Sequence, residues 1–119
     1  MSNKILLVDD EHEFVQTLAQ RLKLRGYDVV TALSGEECLE KFSSKPFDLV
    51  VLDLMMPGMS GLEVLAGLKR AEKSIPVILL TGHGSTKEGM EGMKLGAADY
   101  LMKPLDINQL TDKMEEILK

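Results

Sequence analysis

The sequence predicts an α/β fold, a (βα)5 chain built on a doubly wound, five-stranded parallel sheet. Three observations point there. Five short runs, Ile5–Val8, Val29–Ala32, Leu49–Leu52, Val77–Leu80 and Tyr100–Met102, are almost continuously apolar and rich in Val, Ile and Leu, the pattern of strands covered on both faces. Their first residues lie 24, 20, 28 and 23 positions apart, so each interval holds one helix and two loops. The intervals themselves carry helical periodicity. Strict strand–helix alternation gives a parallel sheet with helices on both faces, and five units are too few for an eight-stranded barrel.

The elements follow in order. After the first strand, Phe14, Leu18 and Leu22 fall on one face of a first helix. The second helix starts at the Ser34/Glu37 pair and carries Leu39 and Phe42; the third starts at Ser60/Glu63 and carries Leu62, Leu65 and Leu68. In such pairs the short side chain accepts an orphan N–H and the acid reaches back to the cap. The fourth helix is expected to open on Ser85/Glu88 and stop near Gly96. Gly89 and Gly92 inside it each cost roughly 0.8–1 kcal/mol relative to Ala, so it is expected to be the least stable helix. The last helix opens on a looser Asp106/Gln109 pair and shows a coherent stripe of Ile107, Leu110, Met114, Ile117 and Leu118.

A length of 119 residues predicts one domain spanning 1–119. Fourteen Lys and Arg against nineteen Asp and Glu give a net charge of −5, which disfavours direct binding to nucleic acid or to an anionic membrane. The single cysteine, Cys38, cannot form an internal disulfide and sits on an apolar helix stripe, which predicts a core position and a reducing compartment. The first apolar run is too short for a signal peptide, and Asp53 breaks the next. The expectation is a cytoplasmic domain. The eight methionines, Met90 and Met93 among them, are read first as core gap-fillers rather than as an adaptable partner surface.

In an open parallel sheet the functional site lies in the crevice at the carboxyl ends of the strands. The first strand ends Val8-Asp9-Asp10-Glu11, the third Leu52-Asp53, the fourth Leu80-Thr81-Gly82 and the fifth Met102-Lys103-Pro104. Singly, each residue has a plain structural reading as helix cap, turn residue or solvated charge. Together they do not. With the first and third strands side by side three carboxylates converge, and at about 5 Å and an effective dielectric near 20 each pair costs roughly 3 kcal/mol. A bound cation removes that repulsion, and all-oxygen ligands suit Mg2+ or Mn2+. Thr81, Gly82 and Lys103 face the same crevice and suit a tetrahedral oxyanion such as a phosphoryl group. His12 and His83 have no Cys or second His spaced to assist them as metal ligands, and are read as solvated residues.

The segments ILLVDDE, LVVLDLMMPGMSGLEVL, VILLTGHG and AADYLMKPL resemble the motifs of response-regulator receiver domains of two-component signalling, from Lys4 to about Ile117. That resemblance implies a flavodoxin-like strand order, 2-1-3-4-5, which comes with the family rather than from the pattern of the chain. It implies that Asp53 takes a phosphoryl group from a phosphohistidine. Asp10 and Asp53 would bind Mg2+ (or Mn2+) directly, Asp9 largely through water, and Met55 through its backbone carbonyl. Lys103 would pair with Asp53 and then with the phosphoryl oxygens, and Thr81 and Gly82 would contact the phosphoryl group. Tyr100 would turn inward as Thr81 moves, changing the face made by the fourth helix, fifth strand and fifth helix. A cis bond before Pro104 would aim Lys103 into the pocket. Met55 and His83 would set the rate of phosphoryl loss, Met55 by shielding and His83 by positioning a water. The implied partners are a sensor histidine kinase or phosphotransfer protein, a downstream protein or output domain, and a second copy in a phosphorylation-dependent homodimer. The domain would not be a turnover enzyme on external substrates, though it would catalyse its own phosphorylation and dephosphorylation.

Other readings fare worse. A haloacid-dehalogenase-type phosphatase wants a second Asp two residues after its nucleophile, where this chain has Met55. A dinucleotide binder needs a glycine-rich loop where Asp9-Asp10-Glu11 stands. A flavodoxin needs a Ser/Thr-rich phosphate loop and aromatic walls, and only 4% of residues are aromatic. A docking module with a vestigial pocket is the remaining alternative, and the filled pocket argues against it. The chain ends one helix after the site, which leaves both a stand-alone receiver and a piece of a longer regulator open.

Overall fold

A computed structural model describes residues 2–82 and 86–119. The strands are β1 (Lys4–Val8), β2 (Asp28–Ala32), β3 (Leu49–Asp53), β4 (Val77–Thr81) and β5 (Asp99–Met102). The helices are α1 (His12–Leu24), α2 (Gly35–Ser44), α3 (Gly61–Ala71), α4 (Thr86–Lys94) and α5 (Ile107–Leu118). All strand pairs are parallel, in the order β2-β1-β3-β4-β5.

The central strands β1, β3 and β4 are almost wholly buried because both faces of the sheet are covered. Side chains alternate across a strand. Leu6, Val8, Val50, Leu52, Val77 and Leu79 pack with Cys38, Val64, Leu65 and Leu68, that is, with α2 and α3. Ile5, Leu7, Leu49, Val51, Ile78 and Leu80 face the other way, onto Val15, Leu18 and Leu22 of α1 and Leu110 and Met114 of α5. A one-residue slip in any strand would exchange the two sets, so the register is firmly specified. Burial pushes the Cys38 thiol up to about 12, which keeps it protonated and inert.

The helix starts match the sequence pattern in two places. Ser34 accepts from the Glu37 N–H while the Glu37 carboxylate accepts from the Leu33 N–H, and Ser60 accepts from the Glu63 N–H. One start differs from expectation, and another carries no side-chain cap. At α5, Asp106 accepts from the Asn108 N–H, one residue short of the expected partner. At α1 no side chain caps the helix at Glu11; the Glu11 N–H instead bonds the Asp9 carboxylate 3.0 Å away. Ser85 lies outside the described residues. Four methionines also depart from the core reading: Met55, Met90, Met93 and Met102 are exposed, Met90 the most at 55%. The only buried positions described in α4 are its glycines, Gly89 and Gly92. Among the described residues no helix is long and apolar enough to cross a membrane.

Candidate functional site

Strand ends build the site. In the parallel register Val8 lies beside Leu52, Asp53 beside Leu80, and Thr81 beside Met102. The residues just beyond β1 and β5 therefore meet the last residues of β3 and β4. The Lys103 N–H donates to the Thr81 carbonyl at 2.8 Å, which fixes the two chain ends together. The Lys103–Pro104 peptide bond is cis.

Asp9, Asp10 and Asp53 each offer a carboxylate oxygen to one cluster in which these atoms lie within 4.8 Å of one another. Asp9 and Asp53 are buried and Asp10 is exposed, so the cluster opens to solvent on one side. Three carboxylates with all-oxygen donors and an open side fit a hard divalent cation that keeps waters, such as Mg2+. The donor set contains no soft ligand that would favour zinc or copper.

Burial is the main reason that the Asp53 carboxyl is pushed up to about 6. The Met55 N–H, which it accepts at 3.0 Å, and Lys103 oppose that shift, while Asp9 and Asp10 add to it. Burial also disfavours the Lys103 ammonium, yet hydrogen bonds to Asp9 and Glu11, with the charges of Asp53 and Asp9, carry it up to about 12. Lys103 is therefore a fixed positive charge, and burial disfavours the charged form of Asp53. Neutralisation of the cluster by a bound cation would relieve that conflict.

Lys103 makes the expected ion pair with Asp53, and two other carboxylates lie closer to it. Its ammonium is 2.7 Å from Asp9 and 2.9 Å from Glu11, but 3.7 Å from Asp53. It also lies 4.7 Å from the centre of the Phe14 ring, within cation–π range. Asp9 is thus engaged by an ammonium on one oxygen and by the Glu11 N–H on the other. Glu11 and Phe14 are not among the site residues expected from the sequence. A three-residue spacing puts them on one side of the first turn of α1, but nothing in the sequence says that Lys103 reaches there.

The remaining residues take the following places. Thr81 is buried at the end of β4, and its hydroxyl donates to the Leu101 carbonyl at 3.5 Å, a long contact. Gly82 follows it, half-buried. Tyr100 is half-buried, with its ring against Gly89 of α4, where a β-carbon would lie 3.0 Å from the ring edge. Met55 is 53% exposed and lines a cleft of about 710 Å³ that also includes Lys87 and Glu91 of α4. His12 is exposed at the start of α1. His83 lies outside the described residues.

Comparison with known proteins gives a consistent result. The family model for the response regulator receiver domain matches residues 5–115. The alkaline phosphatase synthesis transcriptional regulatory protein PhoP of Bacillus subtilis (strain 168) is 39% identical over 119 residues, covering 100% of this chain and 50% of its own length. The transcriptional regulatory protein CpxR of Escherichia coli (strain K12) is 39% identical over 117 residues, 98% of this chain and 50% of its own. The chain thus spans about half the length of these curated relatives. Among solved structures, a response regulator receiver domain protein from Clostridium thermocellum superposes with a TM-score of 0.94 at 35% identity, covering 98% of this chain and 94% of that one. A CheY-like receiver domain protein from Methanospirillum hungatei JF-1 gives 0.94 at 30% identity, with coverage of 99% and 94%.

Proposed function

The chain belongs to the family of response regulator receiver domains, and from that premise we propose that Asp53 is its phosphoacceptor, charged by the phosphohistidine of a sensor histidine kinase or phosphotransfer protein. The observation that carries this is the buried Asp53 carboxylate at the end of β3, clustered with Asp9 and Asp10 and 3.7 Å from the Lys103 ammonium. An Asp53 oxygen attacks phosphorus, the P–N bond to the imidazole breaks, and its electron pair returns to the ring. Asp10, Asp53 and the Met55 carbonyl would hold Mg2+ (or Mn2+), with Asp9 acting through water. The cation supplies neutralisation of the charge on the phosphoryl oxygens.

Lys103 turns from Asp9 and Glu11 to the phosphoryl oxygens, an ammonium being a strong partner for a dianion. Thr81 and Gly82 close on the same group. Thr81 is only weakly held by Leu101, so little is lost when its hydroxyl moves. Tyr100 then follows inward, and the surface of α4, β5 and α5 changes. That face signals to an output domain or downstream protein, or to a second copy of the chain. Exposed Met55 shields the phosphorus from in-line water, and His83 positions such a water.

Incubation with acetyl phosphate and Mg2+ tests the assignment. Intact-mass analysis should show one phosphoryl adduct on the wild type and none on Asp53→Ala. Equal labelling of the variant excludes Asp53, and no labelling of the wild type favours a docking module with a vestigial pocket.

A further inference from the structure

Lys103 is held by more than the acidic pocket. Its ammonium lies 2.9 Å from a Glu11 carboxylate oxygen that sits outside the carboxylate cluster, and 4.7 Å from the Phe14 ring centre. Both belong to the N-terminal turn of α1, Glu11 at the cap position and Phe14 three residues on. Asp9, at 2.7 Å, lies on the same side, and Asp53 is the farthest of the three carboxylates from the ammonium, at 3.7 Å. We infer that Glu11 and Phe14 are positioning residues for Lys103, an outward anchor that draws its ammonium off Asp53 and slows phosphoryl uptake.

The inference rests on the phosphoacceptor reading of Asp53. When Asp53 attacks acetyl phosphate, the new Asp53 Oδ–P bond forms as the P–O bond to acetate breaks, and acetate leaves with the electron pair. Negative charge on the equatorial phosphoryl oxygens then needs Lys103. To reach them the ammonium must leave Glu11 and slide off the ring face. The Glu11 side chain is 63% exposed, so its hold on Lys103 is that of a largely solvated pair. Such a contact is strong enough to bias the lysine and weak enough to be broken in each cycle. Asp9 cannot be exchanged for this purpose, because it also lies in the cation cluster. Glu11 lies outside that cluster, so its charge can be removed without removing a cluster carboxylate.

The test is the rate of phosphoryl uptake from acetyl phosphate at saturating Mg2+. Glu11→Gln keeps the size and the polar end of the side chain and removes the charge; it should accelerate uptake about two- to fivefold. The gain should shrink as salt is raised, because an exposed charge is screened. Phe14→Leu should act in the same direction by a smaller factor. In a Lys103→Met background, Glu11→Gln should change nothing, since its effect travels through Lys103. Unchanged or slower uptake in Glu11→Gln overturns the inference, and so does the same acceleration in the Lys103→Met background, which would mean a general charge effect on the donor. A crystal structure of metal-free Glu11→Gln gives a second readout. It should place the Lys103 ammonium within hydrogen-bond distance of Asp53; an unmoved ammonium overturns the inference. If the wild type takes up no phosphoryl group, the phosphoacceptor reading is what fails, and the lysine's position in that crystal still decides the anchor.

Discussion

Gly92 of α4 faces Leu79 of β4 so closely that a β-carbon on it would run into the Leu79 Cδ1 methyl. Leu79 is fully buried, so its side chain can make room only by repacking the core around it. Helix propensity alone says that Gly92→Ala stabilises α4 by up to about 1 kcal/mol. Overpacking against a fixed core side chain costs about 1–3 kcal/mol. The contact should win: Gly92→Ala is expected to lower stability by about 1–2 kcal/mol in urea unfolding. A stabilised variant would show that α4 can drift off the sheet without cost.

The same packing should leave α4 less protected than α1 and α5. Among its described residues only glycines are buried, so that part of α4 covers the sheet without inserting a large buried side chain. Stability then comes from little beyond backbone hydrogen bonds. Amide exchange in α4 should be faster than in α1, which buries Val15, Leu18 and Leu22, and faster than in α5, which buries Leu110 and Met114. Equal protection of all three would contradict this picture of α4.

Asp53 makes the metal-free protein pH-sensitive. Its carboxyl rises from an ordinary value of 3.8 to about 6 in the folded state, chiefly through burial. A raised carboxyl favours the folded state while protonated. That contribution is therefore fully present below about pH 4 and is lost as pH rises through about 6. In chelator at pH 7.5, Asp53→Asn should be more stable than wild type by on the order of 1–3 kcal/mol. The gap should close as the pH falls below 6. A gap independent of pH would point to packing rather than charge.

Mg2+ should stabilise the wild type in proportion to its occupancy, because a ligand that binds only the folded state shifts unfolding by mass action. Asp10 is the exposed member of the cluster and the one without a lysine contact among the described ion pairs. Asp10→Ala should remove most of the Mg2+-dependent shift in melting temperature. An equal shift in both proteins would remove Asp10 from the ligand set.

Much of this was legible in the sequence, for reasons that also mark where it stops. Strands buried on both faces must be apolar throughout, so five runs stood out. Each strand is one residue longer than its apolar run, taking in Lys4, Asp28, Asp53, Thr81 and Asp99. Backbone ladders close without regard to side-chain polarity, whereas a hydropathy pattern reads side chains only. Asp53 and Thr81 are themselves such terminal residues, which is why the end of each run located the site. The partners of Lys103 were not legible. Glu11 and Phe14 meet it across 92 and 89 positions of sequence, and only the folded register brings the start of α1 to the end of β5. Gly89 and Gly92 were read as a cost to the helix, because propensity knows nothing of the Tyr100 ring or the Leu79 side chain that occupy the space.

The central claim is that the phosphoryl group resides on Asp53. Borohydride reduces an aspartyl phosphate to homoserine, which leaves a permanent mark on the acceptor residue. The chain should be labelled with acetyl phosphate and Mg2+, reduced, digested and sequenced by tandem mass spectrometry. Homoserine is expected at position 53 alone. Homoserine at position 9 or 10, or a labelled protein with no homoserine at all, would contradict the claim.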